Sequence, residues 1–331
     1  RAQTRLVITS ATSAAGVKSQ RKPSPFIAEA GVPSREVSAD VSLREQQLTL
    51  PIGSAPRPKT PADGSRTTSA SKIVEFETCP LKYKFRYVLN VPTRPHHALS
   101  FGSTVHKVLS DLGSAVARGE HPSLTDALKL YNAYWMSEGY ESADHEAARK
   151  EAGRHTLTAY LTTHGELLTR APVAVEVPFS LRLPTTKLTG RIDRIERTGD
   201  GRIIVTDFKT GTGHGAKRQR APAGNPYGFS KKILRGPRAG KGSEADTDVQ
   251  LSVYALALRQ ALHLNPDRLT LSYVEENRES TTIRTPDDDA QTAVRVENVA
   301  TRIRAGEFTA TPGYHCRFCD FRQICDFAES R

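Results

Sequence analysis

The hydrophobic period of the chain changes twice, and those changes bound what it can fold into. From Ser69 to about His164 apolar residues recur at helical spacing. "FGSTVHKVLSDLGSAVARG" carries Val105, Val108, Leu109 and Leu112 on one face, and "SLTDALKLYNAYWMSEG" and "DHEAARKEAGRHTLTAYLTTH" continue the pattern. "SASKIVEFETCPLKYKFRYVL" reads as one helix capped by Ser69 or Ser71, with Ile73, Phe76, Leu81 and Phe85 as its apolar side. The period then falls to two. "VAVEVPFSLRL", "KLTGRIDRIER" and "GRIIVTDFKTG", joined by the turn-forming "LPTT" and "TGDG", predict three consecutive antiparallel strands. A helix returns at "DTDVQLSVYALALRQAL", strands at "RLTLSYVEE" and "ESTTIRT", and a last helix at "DDDAQTAVRVENVATRIRAG", begun by acids and stopped by Gly306. This order predicts a mixed α/β core, and no internal repeat interrupts it.

The second strand carries Asp193 in "GRIDRIE", and the third carries Asp207 and Lys209 in "VTDFKTG". Pairing through the short turn sets Asp193 opposite Asp207, and the period of two puts Lys209 on the same face as Asp207. By itself Asp-x-Lys is the pattern of a surface cross-strand ion pair, which is worth little. Here Asp207 ends an apolar run, and a second acid faces it. Two carboxylates so close repel unless a cation sits between them. Mg²⁺, or Mn²⁺ in its place, suits one or two carboxylates together with water and substrate phosphate. A lysine beside metal-bound water can orient it, help deprotonate it and stabilise charge growing on phosphorus.

"GRIDRIE", "VTDFKTG" and "QLSVY" together resemble the PD-(D/E)xK nuclease superfamily in its RecB/AddB-like branch. The resemblance spans about Ser69 to Arg331. It implies a restriction-endonuclease-like core, a mixed central sheet flanked by helices, that hydrolyses DNA by direct in-line attack and leaves 5′-phosphates. It implies that His106, in the G-x-x-x-H match "FGSTVH", joins Asp193, Asp207 and the backbone carbonyl of Phe208 around the metal. It implies that Gln250 and Tyr254 line the site, and it makes Glu176 in "AVEVPF" a candidate further acid. Without the resemblance, His106 reads as an ordinary amphipathic-helix residue and Tyr254 as a core one.

The chain has four cysteines among 331 residues: Cys79, and Cys316, Cys319 and Cys325 near the C-terminal end. Their crowding suggests metal ligation in a reducing, cytoplasmic compartment rather than disulfides. Four thiolates suit Zn²⁺ or an iron–sulfur cluster. The one-plus-three order resembles the [4Fe–4S] staple of AddB-type nucleases, with zinc or free thiols as the alternatives. A staple closing so long a loop is structural in its role.

The formal charge of +11 favours a polyanionic partner, DNA first. Between Phe208 and Ser243 there is no acid, while Lys217, Arg218, Arg220, Lys231, Lys232, Arg235, Arg238 and Lys241 supply cations and Tyr227 and Phe229 supply stacking faces. The same segment also reads as an unstructured basic insertion. Lys82, Lys84 and Arg86 form a second candidate phosphate-contacting patch. No apolar run reaches the length of a membrane span, and "RAQTRLVITS" is not a secretory signal.

Residues 1–35 contain a predicted strand, "TRLVITSA", and a short helix, "SPFIAEAG"; residues 36–68, rich in Pro, Ser and charge, predict a linker ahead of a nuclease domain at 69–331. "RAQTRLVITSA" resembles the end of the last conserved motif of UvrD-like helicases, with Gln3 departing from its usual basic residue. That resemblance implies a piece of a longer, bacterial helicase–nuclease of recombinational repair, with an ATP-dependent motor upstream in the natural chain and a possible second subunit. The alternatives are a stand-alone CRISPR-adaptation-type nuclease and an inactive nuclease-like DNA-binding module.

Overall fold

The computed structural model describes residues 67–211 and 243–328. The strand and helix read near the N-terminus, and the basic run with Lys217, Arg218, Arg220, Lys231, Lys232 and Arg235, lie outside the described residues.

Strand β1 is only Thr67–Thr68, followed by α1 (Ala70–Thr78). The Ser69 hydroxyl accepts the Lys72 N–H and caps α1, as expected. The single helix expected from Ser69 to Leu89 is broken. Cys79 is extended, Pro80 opens the short α2 (Pro80–Tyr83), and a π-helical turn (Lys84–Val88) completes the segment. Proline lacks the N–H that would continue α1, so the chain restarts there. Next come α3 (His97–Ala117), α4 (Leu124–Ala133) and α5 (Ala143–Thr163). The three predicted strands are β2 (Ala174–Arg182), β3 (Lys187–Arg197) and β4 (Ile203–Lys209). After them stand α6 (Glu244–Thr247), α7 (Val249–Ala261), β5 (Arg268–Tyr273), β6 (Arg278–Thr282) and α8 (Pro286–Ala305). Helix α8 ends at Gly306 in the left-handed conformation, φ 76°, which glycine adopts without steric cost.

The six strands form one mixed sheet. Strand β3 pairs antiparallel with β2 along one edge, from Ile195 back to Lys187. Its other edge is shared: β1 runs parallel to Lys187 and Leu188, and β4 runs antiparallel from Arg194 to Arg197. Between those two contacts the edge is open, and Asp193 lies there. Beyond Thr206, β4 leaves β3 and continues parallel to β5 as far as Lys209. The sheet therefore splays where the motif acids sit. Thr67 and Thr68, expected in the linker, pair with Lys187 and Leu188 through main-chain groups, and two residues carry no periodicity that marks a strand.

One apolar core packs α1, α7 and α8 against the sheet through Ile73, Phe76, Ile192, Val205, Leu256 and Val299. A second packs α3, α4 and α5 on its other side through Phe101, Val105, Leu109, Tyr131, Leu157 and Phe208. Val205 and Phe208 belong to opposite cores, so Asp207 shares the Val205 face, toward α7.

Candidate active site

The register that pairs Arg194 with Thr206 continues to Asp193 opposite Asp207 at the mouth of the splay. Main-chain pairing has ended there, and Asp193 replaces it: Oδ2 accepts the Phe208 N–H at 2.9 Å. The opening also admits a side chain from the far face of the sheet. His106, on α3, brings Nδ1 within 3.4 Å of Asp193 Oδ2. Its helix runs close to the end of β4, because a Cβ on Gly102 would lie 2.8 Å from Thr210 Oγ1. The glycine of G-x-x-x-H thus sets the approach, and the histidine one turn later uses it.

Asp207 is 1% exposed. Its Oδ1 accepts Gln250 Nε2 at 2.7 Å and the Tyr254 hydroxyl at 3.1 Å. Its Oδ2 lies 2.6 Å from Lys209 Nζ in an ion pair. Lys209 Nζ also donates to Gln250 Oε1 at 2.9 Å, and Gln250 Nε2 lies 2.6 Å from the Tyr254 oxygen. Gln250 and Tyr254 are one turn apart on α7, so a single helix face supplies both. The Phe208 ring is buried in the α3–α5 core, 6.4 Å from the His106 ring.

Glu176 is the further acid. It stands opposite Asp193 in the β2–β3 register, but the ladder skips the pair, and Glu176 holds a left-handed backbone, φ 50°. Such a conformation is uncommon outside glycine and concentrates where geometry serves a site. Among the described residues, His106, Glu176 and Asp193 are the group of three His, Cys, Asp or Glu ligands whose donor atoms lie within 4.8 Å of one another.

The electrostatics follow from this crowding. Burial, and then the facing Asp207 carboxylate, push the Asp193 carboxyl up to about 8. Burial opposes charge on Lys209, but Asp207, Asp248 and Asp193 outweigh it and hold its ammonium above the usual lysine value. Burial, with Asp207 beside it, lifts the Tyr254 phenol well above the usual range. The buried Asp207 facing the half-buried Asp193, which gathers with His106 and Glu176, is a donor set that fits a divalent cation.

Asp248 escaped the sequence reading. It caps α7 two residues before Gln250, accepting the Leu251 N–H at 2.8 Å. The D-x-Q spacing at a helix start was its signal. The side chains of the Lys82, Lys84 and Arg86 patch make contacts within the fold. Lys82 and Arg86 pair with Glu75, Arg86 also reaches Asp320, and Lys84 lies over the Phe308 ring. These cations tie the first helices to the C-terminal segment.

Cys79, Cys316, Cys319 and Cys325 line one small pocket with Phe85, His315 and Phe321. The Gly313 N–H donates to Cys316 Sγ at 3.4 Å. A cleft of about 680 Å³ at the α3–α4 corner holds none of these residues; Arg118 and Lys129 there are paired with Glu120 and Asp126.

The sequence profile of the PD-(D/E)XK nuclease superfamily matches residues 67–326, and the chain belongs to that superfamily. Its sequence is similar to the Gene 69 protein of Mycobacterium phage L5, 22% identical over 307 residues, covering 78% of this chain and 95% of that protein. Among solved structures it is similar to a candidate exonuclease from Eubacterium rectale (11% identity, TM-score 0.41, 80% of this chain and 87% of that one). It is also similar to the protein SSO0001 (14% identity, TM-score 0.36, 80% and 88%). No helix among the described residues is long and apolar enough to cross a membrane.

Proposed function

We propose that this chain is a metal-dependent DNA exonuclease, with Asp193, Asp207 and His106 holding Mg²⁺ or Mn²⁺ and Glu176 added to that set. The observation that carries the reading is the Asp207–Lys209 pair bridged by Gln250 at the splayed sheet, beside Asp193, whose carboxylate holds the Phe208 N–H and gathers with His106 and Glu176. A divalent cation bound there supplies Lewis-acid polarisation of the phosphate and an acidified water. The chain's own groups do the rest. Lys209, held as an ammonium, stabilises charge growing on the phosphate oxygens and orients the attacking water. Gln250 and Tyr254 fix Asp207 by accounting for its Oδ1. Water adds to phosphorus as the 3′ oxygen leaves, and the product keeps a 5′-phosphate.

The four cysteines are read as ligands of a [4Fe–4S] cluster. Their shared pocket and one-plus-three order support this. Among the described residues their sulfurs do not gather within 4.8 Å of one another.

The helicase-like residues at the N-terminus support an origin in a helicase–nuclease of double-strand-break repair, with an attached motor and a second subunit as partners. The phage relative favours a second reading, a nuclease that works without a motor, because this chain covers 95% of its length.

The test is digestion of end-labelled single-stranded DNA with Mg²⁺, beside Lys209→Ala and Asp207→Ala. Cleavage by the wild type and neither variant is expected. Equal cleavage by either variant overturns the site assignment; cleavage by none, with DNA binding retained, favours a binding module.

A further inference from the structure

The motif stretch of β3 carries two arginines, and the sheet treats them in opposite ways. The Arg194 side chain is 2% exposed, and its guanidinium donates to Glu196 Oε1 and to the Arg170 carbonyl, both at 3.0 Å. The Arg191 side chain is 63% exposed. Its Nη1 donates to Glu176 Oε2 at 3.3 Å, a diagonal contact, since Arg191 itself pairs with Pro178 on β2. So exposed an ion pair contributes little to stability, and it engages one nitrogen of a five-donor fork. The place of Arg191 is what matters. Strand residues alternate, so Arg191 and Asp193 share a face of β3, two residues or about 7 Å apart. Glu176 contacts Arg191 and also gathers with Asp193 and His106. The other edge of β3 is open here, because β1 pairs as far as Leu188 and β4 from Arg194 onward. Lys107, next to His106 on α3, is instead committed to Asp111 at 2.7 Å.

We propose that Arg191 is a substrate-binding residue, whose guanidinium grips a DNA phosphate next to the one that is cleaved and lays the strand along the open edge of β3. The inference rests on the nuclease reading above and adds to it a contact for the strand. A cluster of acids alone repels a polyanion, so a cation at its rim is where an approaching strand gains most. The planar fork of arginine suits two oxygens of one phosphate, and an ammonium does not reproduce that geometry. The contact is to the backbone, so it positions the strand without reading its sequence.

The test is binding of a labelled single-stranded oligonucleotide to the whole chain across a range of salt concentrations, in an Asp207→Ala parent that should hold DNA without cutting it. Adding Arg191→Met keeps the apolar stem and removes the charge, and thermal melting checks that it folds. It is expected to weaken binding roughly tenfold, the loss of one charged hydrogen bond. The slope of log affinity against log salt should fall in magnitude by about 0.7, one phosphate contact on a single strand. Arg191→Lys should keep the slope and recover part of the affinity. With Asp207 restored and Mg²⁺ present, Arg191→Met should raise KM by roughly tenfold and leave kcat within about threefold. An unchanged salt slope in Arg191→Met overturns the proposal. So does a fall in kcat with KM unchanged, since Arg191 would then act only through Glu176. A parent that binds no DNA overturns the nuclease reading itself, and this inference with it.

Discussion

Asp193 and Phe208 are joined across the opening of the sheet: the Asp193 carboxylate accepts the Phe208 N–H at 2.9 Å, one step beyond the last main-chain pair of β3 and β4. A side chain takes over where the ladder stops. It holds β4 at the distance that lets Asp207 face Asp193, and it leaves one edge of β3 open for His106.

That placement makes metal-free stability depend on pH. The Asp193 carboxyl is pushed up to about 8 by burial and by Asp207, against about 3.9 for an unperturbed aspartate. The folded chain then keeps a proton that the unfolded chain has released. The resulting stability is lost as pH rises from about 4 through about 8. A divalent cation takes the proton's place, so the Tm gain from Mn²⁺ over EDTA should be larger at about pH 8.5 than at about pH 6. Asp193→Asn keeps an acceptor for the Phe208 N–H. It should flatten the pH dependence, shrink the Mn²⁺ gain and lower DNA cleavage by about a hundredfold or more. An equal Mn²⁺ gain at both pH values would remove Asp193 from the site.

Gly102 offers a test of how α3 sets the site. A Cβ there would lie 2.8 Å from Thr210 Oγ1, just past Lys209. Gly102→Ala should push α3 or the end of β4 aside, costing about 1 kcal/mol of stability. Cleavage should fall by about tenfold or more, since a small misplacement of reacting groups is expensive. Thr210→Ala removes the atom in the way, so the double variant should regain most of the lost activity. Failure of that rescue would mean that the glycine serves something other than clearance.

The parts of the site that were legible in the sequence are those fixed by local rules. Asp207 and Lys209 share a face because strand residues alternate, and Asp193 faces them because a short turn sets the register. His106 lies on a helix across the sheet, and no periodicity links it to the acids; only the G-x-x-x-H match did. Glu176 turns on a left-handed backbone that residue type does not announce. Asp248 went unread because an acid at a helix start needs no role beyond the cap that it forms on α7. Pro80 breaks the helix at Cys79 even though apolar residues continue at helical spacing on either side.

The cysteine pocket makes a prediction that separates its possible occupants. Cys79 precedes the motif strands and the other three cysteines follow them, so a metal group shared by all four would tie the two ends of the fold together. Ion pairs from Arg86 to Glu75 and Asp320 reinforce the same junction. Protein prepared without oxygen should be brown and carry about four irons and four sulfides per chain. Cys79→Ser and Cys325→Ser should each lose colour and iron, and each should lower Tm by several degrees or more, because ligand binding here is folding free energy. Colourless protein with one zinc per chain and a normal Tm would replace the cluster with a zinc site. Protein with neither metal, whose Tm is unmoved by Cys79→Ser, would show that the pocket is an apolar joint packed around Phe85 and Phe321.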